Sequence, residues 1–281
     1  MPLTRVHCTW IQPTSRSSVH YQAAGSLQSL YFHLLQKTSK NAMEICIDSL
    51  RSAQNAIRGG ATRLEVCSSL SEGGLTPTPG LLHVIKSCNS KIPLYCMIRI
   101  KSGNFIYTRE EMDAMIFDVK ILSQSGADGF VFGALTENYQ IHKNFCREII
   151  SAVAPKKVTF HRAFDEVQEP LEALEDVISL GFERILTSGQ KNTAMEGLEL
   201  IKRLVKIAGD RIILMLGSGI NPDNISEIKQ TSEAKEFHAS AKVKVAETQT
   251  ANKVKMADTE SFLFVASEDL VRKMIDAINK A

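Results

Sequence analysis

The feature that most constrains the fold is an alternation that begins near residue 42, where short runs rich in β-branched residues are followed by amphipathic stretches. Such alternation is typical of βα units and predicts a parallel sheet. The predicted strands lie near residues 43–48, 63–67, 93–99, 128–132, 156–161, 183–187, 211–216 and 235–239. The helical patterns lie at residues 50–58, 79–87, 109–125, 143–153, 170–180, 194–208, 223–230 and 267–279. Strands that are each followed by a helix, eight times over, predict an α/β fold of the (β/α)8 type, a closed TIM-like barrel.

A second arrangement, an open doubly wound sheet, would use the same elements. It is less favoured because no Gly-x-Gly-x-x-Gly motif follows the first strand. The length of 281 residues allows one barrel of about 250 residues as well as two smaller domains. We assign residues 42–281 to a single barrel domain.

Residues 1–41 form an extension outside the barrel. They include Arg5, Arg16, Lys37 and Lys40 together with many serines, and no acidic residue occurs before Glu44. Such a composition is typical of a mitochondrial transit peptide, or of a disordered extension without a targeting role. We favour the disordered extension and a cytoplasmic protein, with the nucleus as a further compartment, and we keep mitochondrial targeting as the alternative.

Composition argues against several classes of partner. The net charge is only +2, from 33 basic and 31 acidic residues, so no overall field favours nucleic acid or an anionic membrane surface. The longest apolar runs are far shorter than the roughly 18 residues needed to cross a bilayer. The six cysteines are scattered without the spacing of a small disulfide scaffold, which predicts reduced thiols in a cytosolic protein.

The first two predicted strands carry polar side chains at alternate positions. Because alternate residues of a strand share one face, these polar side chains line up together, while the aliphatic residues point the other way. The polar set consists of Glu44, Cys46, Asp48, Arg63, Glu65 and Cys67. If both strands belong to one parallel sheet, this set forms a single polar patch, which is the layout of a functional site.

Two basic residues end other strands on the same inward face. Arg99 ends the third strand and His161 the fifth, and active sites of barrels lie at these strand ends. A buried carboxylate is costly unless it is paired, so we expect Glu44 and Glu65 to pair with Arg63 and Arg99, with Arg162 as a further partner. A purely structural role for such pairs is the alternative.

Small residues follow the sixth and seventh strands. Thr187 and Ser188 offer hydroxyl donors, and Gly217, Ser218 and Gly219 precede a helix that opens at 221–222. Small residues let backbone amides approach an anion, and a helix N-terminus favours negative charge. The segment therefore predicts an anion-binding site, with a turn that merely fits the loop as the alternative.

The two inward cysteines, Cys46 and Cys67, lie at matching heights on neighbouring strands. Their sulfurs are thus expected within reach of one ion, and soft thiolates select Cu(I) or Zn(II). A buried cysteine otherwise behaves as a small hydrophobic residue. His238, which ends the eighth strand, is left open between the barrel mouth and the core.

Several motifs resemble the CutC copper-homeostasis family. They are MEIC at 43–46, RLEVC at 63–67, EGGLTP at 72–77, MIR at 97–99, GADGFVFG at 126–133, TFHRAFD at 159–165 and LTSG at 186–189. The resemblance covers residues 42–241 and continues weakly to the C-terminus. It implies a TIM-like barrel, a cytosolic protein, homo-oligomers and, in eukaryotic members, Cu(I) binding through two cysteines that correspond to Cys46 and Cys67.

Two functions follow from these observations, and a degenerate barrel kept as an oligomeric scaffold is the third alternative. In the first, the protein serves copper homeostasis and binds Cu(I) as its cofactor or cargo through Cys46 and Cys67, with copper ions and further copies of the chain as its partners. In the second, it is a barrel enzyme that acts on a small anionic metabolite, phosphorylated ones included. The candidate catalytic residues are Glu44, Glu65, Arg99, His161 and Asp165. There, His161 or a carboxylate would serve as general acid or base, and Arg99 would orient the substrate.

Overall fold

The architecture comes from a computed structural model, which describes residues 41–246 and 262–281. Eight parallel strands close into a barrel in the order β1 to β8, and β1 completes the closure by pairing with both β2 and β8. The strands are β1 Ala42–Ile47, β2 Arg63–Val66, β3 Leu94–Met97, β4 Gly129–Phe132, β5 Lys157–Phe160, β6 Arg184–Thr187, β7 Ile213–Leu216 and β8 Glu236–Ala239. The predicted TIM-like barrel is confirmed, and all eight predicted strands end within two residues of these bounds.

The helices surround this barrel. They are α1 Leu50–Gly59, α2 Pro79–Cys88, α3 Arg109–Gln124, α4 Lys143–Val153, α5 Pro170–Leu180, α6 Leu198–Ala208, α7 Ile225–Ser232 and α8 Glu268–Lys280. Local signals explain several ends: Thr108 and Glu111 form a capping box at the start of α3, and the left-handed Gly181 ends α5. Helix α6 begins later than predicted, because residues 194–197 form a turn.

Side chains on the two faces of the sheet separate into two hydrophobic clusters. Outward residues such as Ile45 and Val66 belong to the large core between sheet and helices. A small second cluster contains Cys67, Tyr95 and Met97, together with one valine of β4. Strand periodicity places this second cluster on the same face as the polar residues of β1 and β2. The inward polar face expected from the sequence is therefore present in the barrel.

A hairpin that the sequence analysis did not anticipate lies after β8. Strands β9 (Lys242–Ala246) and β10 (Phe262–Ala266) pair antiparallel, with Lys244 opposite Phe264. Alternation of lysine and valine over 242–245 is the pattern of a half-buried strand, and this pattern is the signal that would have predicted β9. The hairpin brings new side chains to the C-terminal mouth of the barrel.

Two further expectations concern the chain as a whole. No helix among residues 41–246 and 262–281 is long and apolar enough to span a bilayer. The five cysteines of this part of the chain are free thiols, as expected. The extension of residues 1–41 lies almost entirely outside the described residues.

Candidate metal centre and barrel mouth

A cavity of about 980 Å³ opens at the C-terminal mouth of the barrel. Cys46, Glu65, Arg99, His161 and His238 all line it. The structure thus gathers side chains from β1, β2 and β8 and from the residues just after β3 and β5. The face of the hairpin strand β10 closes one side of the cavity.

Three of these residues form the candidate metal centre, which we name the Cys46–Glu65–His238 triad. One ligand atom from each lies within 4.8 Å of the other two, and no other group of three or more such residues occurs in the described part of the chain. The strand register explains the arrangement, because Cys46 lies opposite Glu65 on β2 while its neighbour Glu44 lies opposite His238 on β8. Closure of the barrel at β1 therefore assembles the triad.

His238 faces this site rather than the outer core, which settles the alternative left open by the sequence. Its Nδ1 atom lies 2.7 Å from Glu44 Oε1, and its Nε2 atom lies 3.8 Å from Glu65 Oε2. Burial would lower the pKa of His238, but the negative charges of Glu65, Cys46 and Glu44 outweigh it and hold that pKa well above the usual value. The imidazole is therefore a buried cation held by acidic neighbours.

Cys67 lies beside the triad without being part of it. Its side chain is fully buried, and its Sγ atom donates to Glu65 Oε2 at 3.5 Å. Burial, with the charges of Glu65 and Cys46 added, raises the pKa of the Cys67 thiol well above the usual value. Of the two cysteines predicted as ligands, the structure brings Cys46 into the triad and connects Cys67 to it through Glu65. The predicted matching heights are wrong, because the register pairs Cys46 with Glu65 and places Cys67 two residues farther along.

Glu65 itself is poorly satisfied. It is 3% exposed, and its Oε1 atom has no hydrogen-bond partner among the described residues. Burial raises the pKa of Glu65, His238 lowers it and Glu44 raises it, with a net rise. A buried carboxylate oxygen without a donor is the kind of atom that a bound cation or ligand would satisfy.

A network of ion pairs lies deeper in the barrel. Glu44 pairs with Arg63, as predicted, and Arg63 Nη2 also lies 2.8 Å from Glu236 Oε2. Arg184 bridges onward, with Nε 3.1 Å from Glu236 and Nη1 2.6 Å from Glu183. Despite complete burial, Arg63 and His238 keep the pKa of Glu44 far below the usual value. The sequence analysis did not predict Glu236, Arg184 and Glu183 as members of this network, because for β6 and β8 it assigned only the position of the strand and not the face of each of these side chains.

Arg99 forms no ion pair with an acidic side chain within residues 41–246 and 262–281, so the predicted pairing with Glu44 or Glu65 is wrong. Its guanidinium donates instead to the carbonyl oxygens of Glu72 (2.8 Å), Gly74 (3.2 Å) and Gly103 (2.9 Å). The physical reason is that the loops after β2 and β3 fold over the Arg99 side chain and place their carbonyl oxygens within hydrogen-bond distance of its guanidinium. Arg99 therefore fixes two loops at the mouth.

His161 is a buried, neutral imidazole. The backbone N–H of Ala163 donates to its Nδ1 atom at 3.1 Å. Burial, reinforced by the positive charge of Arg99, lowers the pKa of His161 to about 3. His161 thus lies at the mouth, as predicted, with Nδ1 accepting a backbone hydrogen bond, and its role as general acid or base stays a prediction.

The hydroxyl groups predicted to bind an anion at the end of β6 donate to a carboxylate of the protein itself. The carboxylate of Asp165 accepts from the Thr187 hydroxyl (2.5 Å), from the Ser188 hydroxyl (3.0 Å) and from the backbone N–H of Gln190 (3.1 Å). It also forms a 2.8 Å ion pair with Arg162. Asp165 is consequently bonded through both carboxylate oxygens and ties the loop after β6 to the segment after β5, and its catalytic role stays a prediction.

The turn after β7 is bonded in the same way. Gly217 N–H donates to the Thr187 carbonyl at 3.1 Å, and the Ser218 hydroxyl donates to Asn192 O at 2.5 Å. Gly219 has a φ of 70° and approaches Thr193 closely, which explains a glycine there. Binding of an external anion by these residues stays a prediction.

Comparison with known proteins places this architecture in a family. The model of the CutC family matches residues 41–243, which leaves most of the hairpin and α8 outside the match. The copper homeostasis protein cutC homolog of Homo sapiens is 50% identical over 200 residues, covering 71% of this chain and 73% of that protein. The homolog of Caenorhabditis elegans is 44% identical over 201 residues, covering 72% and 80%. A crystal structure of CutC from Streptococcus agalactiae has a TM-score of 0.68 and 29% identity, covering 71% and 98%. The chain belongs to the CutC family.

Proposed function

We propose that this chain takes part in copper homeostasis by binding Cu(I) beside the Cys46–Glu65–His238 triad, with Cys46 and His238 of the triad and the neighbouring Cys67 as ligands. The observation that carries the proposal is that a thiol, an imidazole and a carboxylate offer atoms within 4.8 Å of one another at the barrel mouth. Sulfur and imidazole ligands suit Cu(I). The names of the human and nematode relatives support the same role.

The ligand atom of His238 follows from its hydrogen bond. Glu44 Oε1 lies 2.7 Å from Nδ1, which leaves Nε2 for a metal ion. A carboxylate behind a ligating histidine is the usual second shell of a metal site, where it orients the ring and raises its basicity. Binding of Cu(I) by neutral imidazole and two thiolates releases the Nε2 proton of His238 and the thiol protons of Cys46 and Cys67, so three protons leave for one Cu(I).

Cys67 is the second sulfur of the proposed site. It joins Cys46 as a ligand once its proton is lost, and its nearest polar neighbour, Glu65, is 3.5 Å away. The cost of deprotonating this buried thiol is met by binding a cation. Glu65 is the hard ligand of the set, and we assign to it the positioning of the Cys67 thiol rather than a bond to Cu(I).

The test is an anaerobic titration of the full chain with Cu(I) against a chromophoric Cu(I) chelator. The variants are Cys46→Ser, Cys67→Ser and the double variant, and the matched control is Cys88→Ser, which removes an exposed thiol from α2. We expect one Cu(I) per wild-type chain, the same for the control, and loss of binding in the double variant. Stoichiometric Cu(I) uptake by the double variant would reject the assignment.

A further inference from the structure

A second site is indicated by two buried N–H groups that find no acceptor. Among the described residues, His161 Nε2 and Arg99 Nε are buried without a hydrogen-bond partner. Both side chains line the cavity, and they are only 3% and 5% exposed. Buried donors are nearly always satisfied in folded proteins, so an orphan pair at a cavity needs an explanation.

The protonation of both groups is fixed by their other bonds. Ala163 N–H donates to His161 Nδ1, so the neutral ring carries its proton on Nε2. The terminal nitrogens of Arg99 donate to loop carbonyl groups, which leaves Nε–H unused. The site therefore presents one neutral and one cationic donor.

One aromatic ring covers the two donors. The Phe105 ring centroid lies 4.7 Å from that of His161, and the Arg99 Cζ atom lies 5.1 Å from the same Phe105 centroid. Phe105 belongs to the segment between β3 and α3, is half-buried and lines the cavity. Phe105 is therefore the ring that packs against both donor side chains at the cavity wall.

The charge of the cavity favours an anion. Five basic side chains and two carboxylates line it, and apolar residues form part of its wall. The basic residues are Arg51, Arg99, Arg162, Lys242 and Lys244, and the carboxylates are Asp48 and Glu65. An excess of positive charge in a cavity raises the local concentration of anions. Both lysines belong to β9, and the match to the CutC family model ends within this strand, at residue 243.

We propose that this part of the cavity binds a small organic carboxylate, one oxygen of which accepts from both Arg99 Nε and His161 Nε2 while Phe105 turns aside and packs against the ligand. The cavity volume of about 980 Å³ is within the range of small-molecule sites. Paired donors of this kind also stabilise negative charge on oxygen, as in an oxyanion hole. The site is independent of copper binding and adds a ligand class to the same mouth.

The first test measures binding of malonate, pyruvate and benzoate to the full chain by calorimetry, with inorganic phosphate for comparison. We expect at least one carboxylate to bind with one-to-one stoichiometry and more tightly than phosphate. Arg99→Gln is expected to weaken that binding by about tenfold or more, since it removes a charged hydrogen bond. The matched control is Arg51→Gln, which removes the same charge from another part of the cavity lining.

Three results would overturn the proposal. They are absence of binding by every carboxylate, tighter binding of phosphate than of any carboxylate, and an equal loss in Arg51→Gln and Arg99→Gln. An equal loss in the two variants would mean that general charge attraction, and not the hydrogen bond from Arg99, accounts for the binding of the carboxylate. Cys46→Ser removes a proposed copper ligand and must retain carboxylate binding. A failure of the copper proposal can therefore be told apart from a failure of the carboxylate proposal.

A second measurement needs no variant, because Arg99→Gln removes loop contacts and is at risk of misfolding. Wild-type protein labelled with 15N in its histidines is titrated with the carboxylate that binds. The signal of His161 is recognised as the imidazole that stays neutral near pH 5 (about 1.5 units below the usual histidine pKa). Its Nε2 resonance is expected to shift on saturation, and an unchanged Nε2 resonance would contradict the proposed contact.

Discussion

Acid should destabilise this protein in part through His161, and the size of that effect can be worked out. The pKa of His161 falls from 6.5 in the unfolded chain to about 3 in the folded protein, because burial disfavours the charged ring. Between these two values the unfolded chain binds more protons, so stability falls as pH falls. At about pH 4.5, two units below the unfolded value, the loss is about 2.7 kcal/mol, since each unit is worth about 1.36 kcal/mol.

The assay is urea denaturation of wild type and His161→Phe at about pH 7.5 and pH 4.5. Phenylalanine keeps a ring beside Phe105 but cannot protonate, so the acid-induced loss in this variant should be smaller than in wild type by about 2.7 kcal/mol. His83→Gln, which removes an exposed histidine of α2, is the control and should lose as much as wild type. The comparison cancels the contributions of the carboxylates and of His238.

Equal acid-induced losses in wild type and His161→Phe would refute the reasoning. That result would mean that the folded protein protonates His161 as readily as the unfolded chain does. The imidazole would then not be a buried neutral donor, and its proposed contact with a carboxylate would lose its basis.

Three substitutions probe the ion pairs and the packing of the barrel interior by urea denaturation. Glu44→Gln is expected to cost about 3–5 kcal/mol, because it leaves the buried Arg63 with one partner fewer. Asp165→Asn should cost about 1.5–3 kcal/mol, because it removes the charge that the hydroxyl and backbone donors of the β6 loop bind. Gly129→Ala should cost about 1–3 kcal/mol, because the new Cβ would lie 2.5 Å from the Tyr95 ring. A change below about 0.5 kcal/mol in any of them would contradict the role assigned to that residue.

The barrel was predictable because each βα unit has its own local sequence pattern, a short β-branched run followed by an amphipathic stretch. A period of two in β1 and β2 separates Ile45 from Glu44 and Cys46, and a buried aliphatic face admits only one register. The inward position of the candidate ligands therefore followed from alternation alone. The same reasoning led to the correct pairing of Glu44 with Arg63.

The partners of residues at strand ends were not predictable in this way. Arg99 binds loop carbonyl groups, and the conformation of those loops is set by tertiary contacts rather than by any repeating pattern. His238 joins the site only because β8 closes against β1, a contact between elements far apart in the sequence. The bonds of Asp165 were not predictable either, because most of its donors come from Thr187 at the end of β6 and from the loop that follows it.

X-ray absorption at the copper edge of the full chain loaded with one Cu(I) identifies the atoms bound to the metal. We expect sulfur together with imidazole nitrogen in the first coordination shell, with one sulfur fewer in Cys46→Ser and no change in Cys88→Ser. A shell of oxygen and nitrogen alone, or an identical spectrum for Cys46→Ser and wild type, would contradict the proposed ligands.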